Sequence, residues 1–192
     1  MDNFSYASVR DGDMIEVSGM LIIARDMGSF SFRQLMDIYV EGNLENGQEL
    51  FPDLSREAQI AAGEEQFLNY LRDCFFQTPG AFYAIRQVED RYVSALRLSP
   101  NRDGFLLEAL ETAPDCRRRG HAKALIRDVV AVLGDTKVYS HVSKSNAASL
   151  AAHRACGFSV FLDCAQYSDG SVMYHACTLC RGNGDKNGTC IR

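Results

Sequence analysis

The chain has 192 residues, of which 46% are apolar, and a formal net charge of −5. This composition is typical of a soluble globular domain, and it excludes disordered, collagen-like and fibrous proteins. The longest apolar run, Met20–Ala24, is far shorter than the roughly 20 residues that a membrane span needs. The first residues show no basic segment followed by an apolar one, so we expect no secretory signal and a cytoplasmic protein.

Charge is divided unevenly along the chain. Residues 1–116 hold 9 basic and 20 acidic side chains, whereas residues 117–192 hold 11 basic and 5 acidic ones. The basic part has no Lys/Arg run interleaved with aromatic residues, so the pattern does not favour nucleic acid. We therefore expect two ligands of opposite charge, and a small polyanion is the better candidate for the basic part.

The first part of the chain predicts one strand and two helices. The strand covers residues 20–25, and a one-sided apolar pattern predicts a helix over residues 32–41. A Gly-Asn pair is expected to end this helix, so residues 43–52 would form a loop. Ser55 is placed to cap the second helix, whose apolar residues recur at steps of three and four.

The rest of the chain predicts a sheet with two more helices. Further strands are predicted at 81–88, 92–98, 105–112, 137–142, 158–163 and 171–179, and helices at 120–133 and 146–156. The first three of these strands would form an antiparallel meander. The result is an α+β domain on one central sheet, at residues 20–180, with an amino-terminal extension at 1–19 and a flexible polar tail at 181–192.

The turn between the third meander strand and the next helix has the features of an anion site. A strand that runs through a glycine turn into a helix presents free backbone N–H groups at the positive end of the helix dipole. Gly120 and Ala122 would let a ligand approach the backbone closely. Four cationic side chains add charge for phosphates: Arg117, Arg118, Arg119 and Lys123. A solvated basic turn is the alternative interpretation.

Two motifs in this part of the chain resemble those of one family. Arg117-x-x-Gly120-x-Ala122 is similar to the Q/R-x-x-G-x-G/A signature of the GNAT superfamily, the acyl-CoA-dependent N-acyltransferases. Downstream, Asn146 opens a short helix that ends in Gly157-Phe158, which resembles the second signature of that family. The resemblance implies a mixed, mostly antiparallel sheet of about seven strands with four helices, in which the splayed parallel strands 105–112 and 137–142 form the acyl-CoA cleft.

The resemblance also implies acetyl-CoA as the acetyl donor and no metal. The pyrophosphate would bind the backbone amides of residues 118–122, and the end of the preceding strand would pair with the pantetheine amides. Asn146 would contact the pantetheine region, although a helix-cap role fits it equally well. The expected cofactor contacts are Leu110, Glu111, Thr112, Arg117, Arg118, Arg119, Gly120, His121, Ala122, Lys123, Asn146 and His153.

Acetyl transfer to an amine requires a base for the ammonium proton, a donor for the thioester oxygen and an acid for the leaving thiolate. Glu108 resembles the carboxylate that several family members use as the base, and its apolar neighbours are expected to desolvate it partly; the alternative is that it forms a salt bridge or faces solvent. His141, five residues before Asn146, is the second candidate for the base, and a hydrogen-bonded strand histidine is the alternative interpretation. Strand alternation predicts Glu111 on the opposite face, as a weaker candidate and a surface charge.

The leaving-group acid is where the chain departs from the family. Many members carry a Tyr seven residues after the motif Asn, and this chain has His153 there. His153 would either protonate the thiolate or only contact the CoA chain while water supplies the proton. The missing Tyr also favours the alternative function, an acyl-CoA-binding sensor or a non-catalytic member of the same fold.

In this family the acceptor pocket is shaped by the first two helices, their connection and the final hairpin. Here the connection at residues 41–49 carries three carboxylates, which favours a cationic acceptor, either a small amine or a peptide amino group. Solvated loop charges explain this pattern nearly as well. The expected substrate contacts are Tyr39, Glu41, Glu45, Glu49 and Phe51. We expect a monomer or homodimer, without a nucleic-acid or membrane partner.

The cysteines are predicted to be structural. Cys177 and Cys180 have C-x-x-C spacing, but no second pair stands at zinc-finger spacing. Cys116 lies in the signature turn, where its basic neighbours would lower its pKa. Direct transfer is nevertheless simpler than a cysteine nucleophile, because the sequence places no base beside Cys116.

Overall fold

The structure is a computed structural model that describes residues 19–167 and 169–182. The extension expected at 1–19 and the tail expected at 181–192 lie almost wholly outside the described residues. Among the helices that are described, none is long and apolar enough to cross a membrane.

The described residues form four α-helices and nine strands, which confirms the α+β class. The helices are α1 (Phe32–Leu50), α2 (Arg56–Asp73), α3 (His121–Leu133) and α4 (Ala147–Ala155). The strands are β1 (Met20–Ala24), β2 (Phe82–Val88), β3 (Arg91–Asn101), β4 (Gly104–Thr112), β5 (Lys137–Ser143), β6 (Ser159–Leu162), β7 (Ala165–Gln166), β8 (Val172–Met173) and β9 (Ala176–Arg181). Short 3-10 helices lie at Phe75–Gln77 and Pro114–Cys116.

Seven strands form one sheet in the order β1-β2-β3-β4-β5-β9-β6. All neighbours are antiparallel except β4 and β5, which are parallel. Helices α1 and α2 cover one face, where Leu35 and Leu71 are buried. Helix α3 covers the other face through Leu125 and Val129, and each such buried side chain stabilises the fold by about 1.5–3 kcal/mol. The predicted mixed sheet is therefore confirmed.

Strands β4 and β5 separate along their length. Only residues 104–107 of β4 pair with residues 137–140 of β5. Beyond these pairs β4 continues to Thr112 and β5 continues to Ser143. The predicted splayed pair is confirmed, and it leaves a gap at the carboxyl ends of both strands.

The predicted end of the first helix is wrong, because α1 runs through Gly42 and Asn43 to Leu50. Asn43 is buried, and its side-chain amide donates a hydrogen bond to the Met36 sulfur at 3.3 Å. Gly47 faces the backbone of Gln59 so closely that any side chain there would collide with α2. The absence of a side chain at Gly47 thus lets the two helices pack closely. This packing offsets the low helix propensity of glycine, which costs about 1 kcal/mol.

The predicted final strand at 171–179 is also wrong in its extent. Its first residues form β8, which pairs with β7 in a separate two-stranded hairpin. A turn at residues 174–175 then leads into β9, which pairs with β5 and β6. The hydrophobic pattern runs across the turn, so it could not mark where one strand ends and the next begins.

Candidate active site

The gap between β4 and β5 forms a cavity of about 200 Å³. Glu108 and His141 line it from the face of the sheet that α1 and α2 cover. Asn146, Ser149 and His153 line it from the α4 side. The cavity therefore connects the two faces of the sheet at the point where the strand pairing ends.

A β-bulge in β4 decides which side chains face which side. Arg97 of β3 pairs with Glu108, and Ala95 pairs with Glu111, so one extra residue of β4 stands opposite Leu96. Ala109 occupies the left-handed region with φ of 49°. Glu108 and Glu111 therefore lie on the same face, and the predicted alternation between them is wrong because a bulge resets the period of two.

The glycine turn borders a second, larger cavity of about 690 Å³. Gly120 caps α3 with φ of 85°, and Arg118 also has a positive φ of 61°. These left-handed residues shape the turn at the amino-terminal end of α3, where backbone N–H groups favour an anion. The lining includes most of the expected cofactor contacts, namely Leu110, Glu111, Thr112, Arg117, Arg118, Gly120, His121, Ala122, Lys123 and Asn146. The exposed Arg119 is not among them, and His153 lines the smaller cavity instead.

The Arg117 side chain is engaged by carboxylates rather than held free for a phosphate. Its guanidinium donates to Glu41 of α1 at 2.5 Å and to the Thr112 carbonyl at 3.2 Å, and it lies 4.0 Å from Glu111. The Arg117–Glu41 pair is half-exposed, so it stabilises the fold by about 1 kcal/mol at most. Arg117 instead links the signature turn to the face of the sheet that α1 covers.

Glu111 lies at this junction. Partial burial raises the pKa of the Glu111 carboxyl, Arg117 opposes that shift, and the carboxylates of Glu41 and Glu45 add to it. Glu111, predicted to be a surface charge, is therefore one of a set of neighbouring carboxylates. Glu41, Glu45 and Glu49 are spaced by four residues along α1, so they form one stripe on a helix and not an acidic loop.

Glu108 forms a salt bridge, which was the alternative interpretation, and its partner Arg97 was not predicted from the sequence. Its carboxylate lies 3.7 Å from the Arg97 Nε, and the Arg97 guanidinium lies over the Tyr70 ring at 4.9 Å. The Glu108 side chain is 30% exposed. Glu108 is thus open to a ligand in the gap and is also held in place from β3.

His141 lines the gap on the same face as Glu108. Its ring stacks on Tyr167 at 4.9 Å, and its buried Nδ1 has no hydrogen-bond partner within the described chain. Burial and the nearby Arg102 lower the pKa of the His141 imidazole. At neutral pH the ring is therefore uncharged and has a nitrogen that can accept a proton.

His153 is almost completely buried on α4. Its Nδ1 lies 2.8 Å from the Ser149 carbonyl oxygen. Because a carbonyl only accepts, Nδ1 carries the hydrogen, and in the neutral ring Nε2 then has the lone pair. Burial lowers the pKa of His153 more than the bond to Ser149 raises it. The ring is therefore suited to accept a hydrogen bond at Nε2, and at neutral pH it has no proton to give from that atom.

The residues predicted to contact the acceptor do not all lie at an open surface. Tyr39 is buried, and its hydroxyl donates to the Ala109 carbonyl at 2.7 Å. Phe51 is 38% exposed, next to Leu50 and Leu54, which are exposed as well. Asn146 caps α4, since its side chain accepts from the Ser149 N–H at 2.9 Å, and it also lines both cavities.

The thiols make no metal site in the part of the chain that is described. Cys177 and Cys180 point to opposite faces of β9, because they are three residues apart on a strand. No group of His, Cys, Asp and Glu side chains there is arranged to hold a metal ion. Burial and Asp115 raise the pKa of the Cys116 thiol, so the expected lowering is wrong. A raised pKa disfavours Cys116 as a nucleophile.

Three side chains that support the residues of the gap were not predicted from the sequence. Arg97 comes from β3, Tyr70 from α2 and Tyr167 from the segment that connects β7 and β8. No local motif marks any of them, because Arg97 contacts Glu108, Tyr70 contacts Arg97 and Tyr167 contacts His141 only through the order of strands and helices in space. A search for charged residues inside apolar strands is the one signal that would have found Arg97.

Solved structures of acetyltransferases share this fold. PaiA N-acetyltransferase from Thermoplasma acidophilum, in complex with coenzyme A, superposes with a TM-score of 0.53 and 13% identity over 85% of this chain and 99% of its own. For the ribosomal-protein-S18-alanine N-acetyltransferase from Escherichia coli, the TM-score is 0.51 and the identity 18%, over 84% and 92% of the two chains. Histone acetyltransferase HPA2 and related acetyltransferase from Corynebacterium glutamicum gives a TM-score of 0.61 and 14% identity, over 88% and 98%.

Sequence comparison identifies the family. No protein with a curated function matches this chain in sequence. The sequence model of the acetyltransferase (GNAT) family matches residues 47–158, more than half of the chain, and spans the bulged strand, the glycine turn and the Asn146 helix. With this match and the shared fold, the chain belongs to the GNAT family of acetyltransferases, whose reaction is acyl transfer with CoA.

Proposed function

We propose that this protein transfers the acetyl group of acetyl-CoA directly to the primary amine of a cationic acceptor, either a small amine or a peptide amino group. The gap between β4 and β5 is the observation that carries the proposal. It joins the cavity of the cationic turn to the carboxylate-bearing face of the sheet, because the two cavities share Leu110, Asn146 and Ser149. A thioester in this gap would have its donor on one side and its acceptor on the other.

The larger cavity suits the cofactor. The phosphates of CoA would lie at the N–H groups of residues 118–122, next to the Arg118 and Lys123 side chains. The pantetheine chain would run beside residues 108–112 of β4, which have no strand neighbour on the β5 side. This is the geometry of a ligand that adds to a free strand edge through backbone hydrogen bonds.

Transfer then needs one nucleophilic attack and the loss of two protons from the acceptor nitrogen, one to a base before the attack and one to solvent water after it. The amine nitrogen attacks the thioester carbonyl carbon, the N–C bond forms, and the C–S bond breaks. Before the attack, the ammonium form of the acceptor must lose a proton, and Glu108 and His141 are the two bases that line the gap. Backbone N–H groups of the bulged strand would stabilise the charge that develops on the carbonyl oxygen.

The departing thiolate must gain a proton. Neutral His153 has none at Nε2, so we assign the proton to solvent water and assign His153 to contact with the CoA chain. Its lone pair at Nε2 would accept a hydrogen bond from an amide or thiol of the cofactor. Of the two roles that the sequence left open for His153, we therefore propose contact with the CoA chain.

The acceptor is expected to be cationic because of the charges on its side of the sheet. Glu41, Glu45 and Glu49 lie on one stripe of α1, and Glu111 continues this group on β4. Arg117 neutralises only part of that charge. A positively charged acceptor would therefore be attracted to this face and oriented with its amine toward the gap.

An acceptor screen tests the proposal. The full chain is incubated with acetyl-CoA and separate cationic, neutral and acidic amines, together with peptides that have free amino termini, and the CoA thiol released is followed. The proposal predicts acceptor-dependent thiol release that is fastest with cationic amines. Turnover with neutral or acidic acceptors alone would contradict the predicted acceptor class.

His153 favours one second candidate, an acyl-CoA sensor of the same fold. A buried imidazole that accepts hydrogen bonds binds a cofactor without supplying a leaving-group proton. The sensor predicts acetyl-CoA binding by calorimetry with no thiol release for any amine. The two functions are therefore separated by one pair of measurements.

A further inference from the structure

Tyr39 makes a contact that a pocket-lining residue would not need. It lies on α1, is only 7% exposed, and donates its hydroxyl to the Ala109 carbonyl at 2.7 Å. Ala109 belongs to the β4 bulge that borders the gap. The bond therefore joins helix α1 to the irregular point of the strand along which the cofactor would bind.

The bulge requires such a partner. Ala109 has a positive φ of 49°, a conformation that costs a non-glycine residue energy and persists only where its surroundings enforce it. The extra residue also interrupts the regular ladder between β3 and β4. A backbone carbonyl taken out of a ladder needs another donor when it is buried, and the Tyr39 hydroxyl supplies one.

The Tyr39 ring is held in place on two sides. It lies 5.2 Å from the Phe67 ring and 6.4 Å, edge to face, from the Tyr83 ring. The hydroxyl consequently cannot leave the Ala109 carbonyl without disturbing the core between α1, α2 and the sheet. A fixed donor of this kind selects one backbone arrangement at the bulge.

That backbone arrangement determines which side chains of β4 lie on each face of the sheet. With the bulge, Glu108 and Glu111 share the α1 face, while Leu110 packs on the α3 face and lines the cofactor cavity. Without the extra residue, a one-residue shift would turn every later side chain of β4 to the other face. The acceptor carboxylates and the backbone groups beside the thioester thus depend on the same irregularity.

We propose that Tyr39 is a positioning residue whose hydroxyl holds the β4 bulge in the geometry that aligns the thioester with the base. This inference rests on the proposed acetyltransferase function. It assigns Tyr39 to the support of the site and not to contact with the acceptor.

The test compares two tyrosines of one core. Tyr39→Phe removes the donor and keeps the ring. Tyr83→Phe is the matched control, because Tyr83 is fully buried in the same core and its hydroxyl, which lies near the Tyr39 hydroxyl and the Arg97 guanidinium, meets neither of them in hydrogen-bond geometry. Misplacement of reacting groups by about 1 Å can cost 10²-fold in rate, so we expect Tyr39→Phe to lower kcat at least about tenfold. The KM for acetyl-CoA should change by a smaller factor than kcat, since the glycine turn that would bind the phosphates is untouched, and Tyr83→Phe should leave kcat within about twofold.

A second variant tests the strain directly. Glycine adopts a positive φ readily, so Ala109→Gly in the Tyr39→Phe background should recover part of the lost kcat. Equal kcat values for Tyr39→Phe and Tyr83→Phe would overturn the inference, as would an unchanged kcat in Tyr39→Phe alone. If the double variant is no faster than Tyr39→Phe, the hydroxyl does not act by holding this backbone conformation, and the inference is likewise overturned.

Hydrogen exchange keeps the inference testable apart from activity. Tyr39→Phe should speed amide exchange in residues 108–112 relative to the wild type and to Tyr83→Phe. A wild-type protein without turnover would refute the proposed function, while the exchange rates would still support or overturn the role of Tyr39. Unchanged exchange in this segment would overturn it.

Discussion

The two sides of the β4–β5 gap are built in different ways. The proposed cofactor side comes from two continuous segments, residues 110–123, which run from the end of β4 through the glycine turn into α3, and the Asn146 helix α4. The acceptor side takes single residues from α1, α2, β3, β4 and β5, such as Glu41, Tyr70, Arg97, Glu108 and His141. A ligand bound through backbone groups needs a local backbone shape, whereas recognition by side chains can draw on any element that reaches the site.

Substitutions on the two sides should therefore have different effects. The cofactor side depends on φ angles and free N–H groups, so changes of backbone conformation should weaken binding of acetyl-CoA. The acceptor side depends on charges and proton acceptors, so changes of side-chain chemistry should alter kcat and acceptor preference. The four predictions below test this division.

The largest effect is expected at the base. Glu108→Gln should lower kcat by about 10²- to 10⁴-fold, the range for loss of a general base, because in the proposed reaction the carboxylate would both attract the ammonium and take its proton. His141→Asn should lower kcat less than about tenfold. Thiol release measured from pH 5 to 9 for both variants checks the assignment.

The pH profile separates the two bases. Burial and Arg102 lower the pKa of His141, so this base stays active as pH falls to its ordinary value near 6.5 and is lost only below it. If His141 were the base, His141→Asn would cause the larger loss and remove the acid limb of kcat/KM. Near-normal kcat in both variants would refute both assignments.

A large effect on binding is expected at the glycine turn. Gly120→Ala places a side chain at φ of 85° beside the cavity. The strain of about 1–3 kcal/mol should shift the turn, and we expect the Kd for acetyl-CoA to rise at least about tenfold.

Gly134→Ala is the control for strain at the other end of the same helix. Gly134 has φ of 59° and open space around it. Its substitution should lower thermal stability while the Kd measured by calorimetry stays within about twofold. Equal increases of Kd in the two variants would contradict a specific role for the turn.

A smaller effect is expected from the carboxylate stripe on α1. Glu45→Gln should lower kcat/KM for a cationic acceptor about two- to fivefold at low salt, as expected for one partly screened charge, and leave neutral acceptors unaffected. Glu65→Gln, on an exposed position of α2, is the matched control. Similar losses for charged and neutral acceptors would show that the stripe does not recognise charge.

The smallest effect concerns stability. Burial lowers the pKa values of His121, His141 and His153 below the ordinary value of 6.5. Below pH 6.5 the unfolded chain therefore binds more protons than the folded one, and the free energy of unfolding falls as pH falls. The loss is at most about 1.4 kcal/mol per pH unit for each histidine, and it stops below each folded pKa.

His153→Phe tests the contribution of one of these histidines. The variant should show a shallower loss of stability between pH 6.5 and 5 in urea unfolding. It should also keep kcat within about fivefold, because neutral His153 donates no proton, and raise the KM for acetyl-CoA by a similar factor. A large fall in kcat with a lost basic limb would restore His153 as the leaving-group acid.

The fold class and the position of the glycine turn could be predicted from the residues themselves, whereas the splayed strand pair was predicted from the resemblance to the family. The fold class and the turn depend on patterns within short segments: alternating apolar residues, Gly120 at a strand-to-helix junction and Asn146 at a cap. Such patterns can be recognised in the sequence because the interacting groups are also neighbours in the chain.

The arrangement of side chains on the acceptor side depends on contacts between distant elements. The bulge at Ala109 is held by Tyr39 from 70 residues away, and it placed Glu111 on the face that simple alternation excluded. Helix α1 continues through Gly42 and Gly47, and Gly47 lies in close contact with α2. The acidic segment is therefore a stripe on a helix and not a loop. The order of the strands brings Arg97 to Glu108, and the β7–β8 hairpin brings Tyr167 to His141. Long-range packing overrode local preference at each of these points, because burial and hydrogen bonding between distant elements outweigh the small energies of turn and helix propensity.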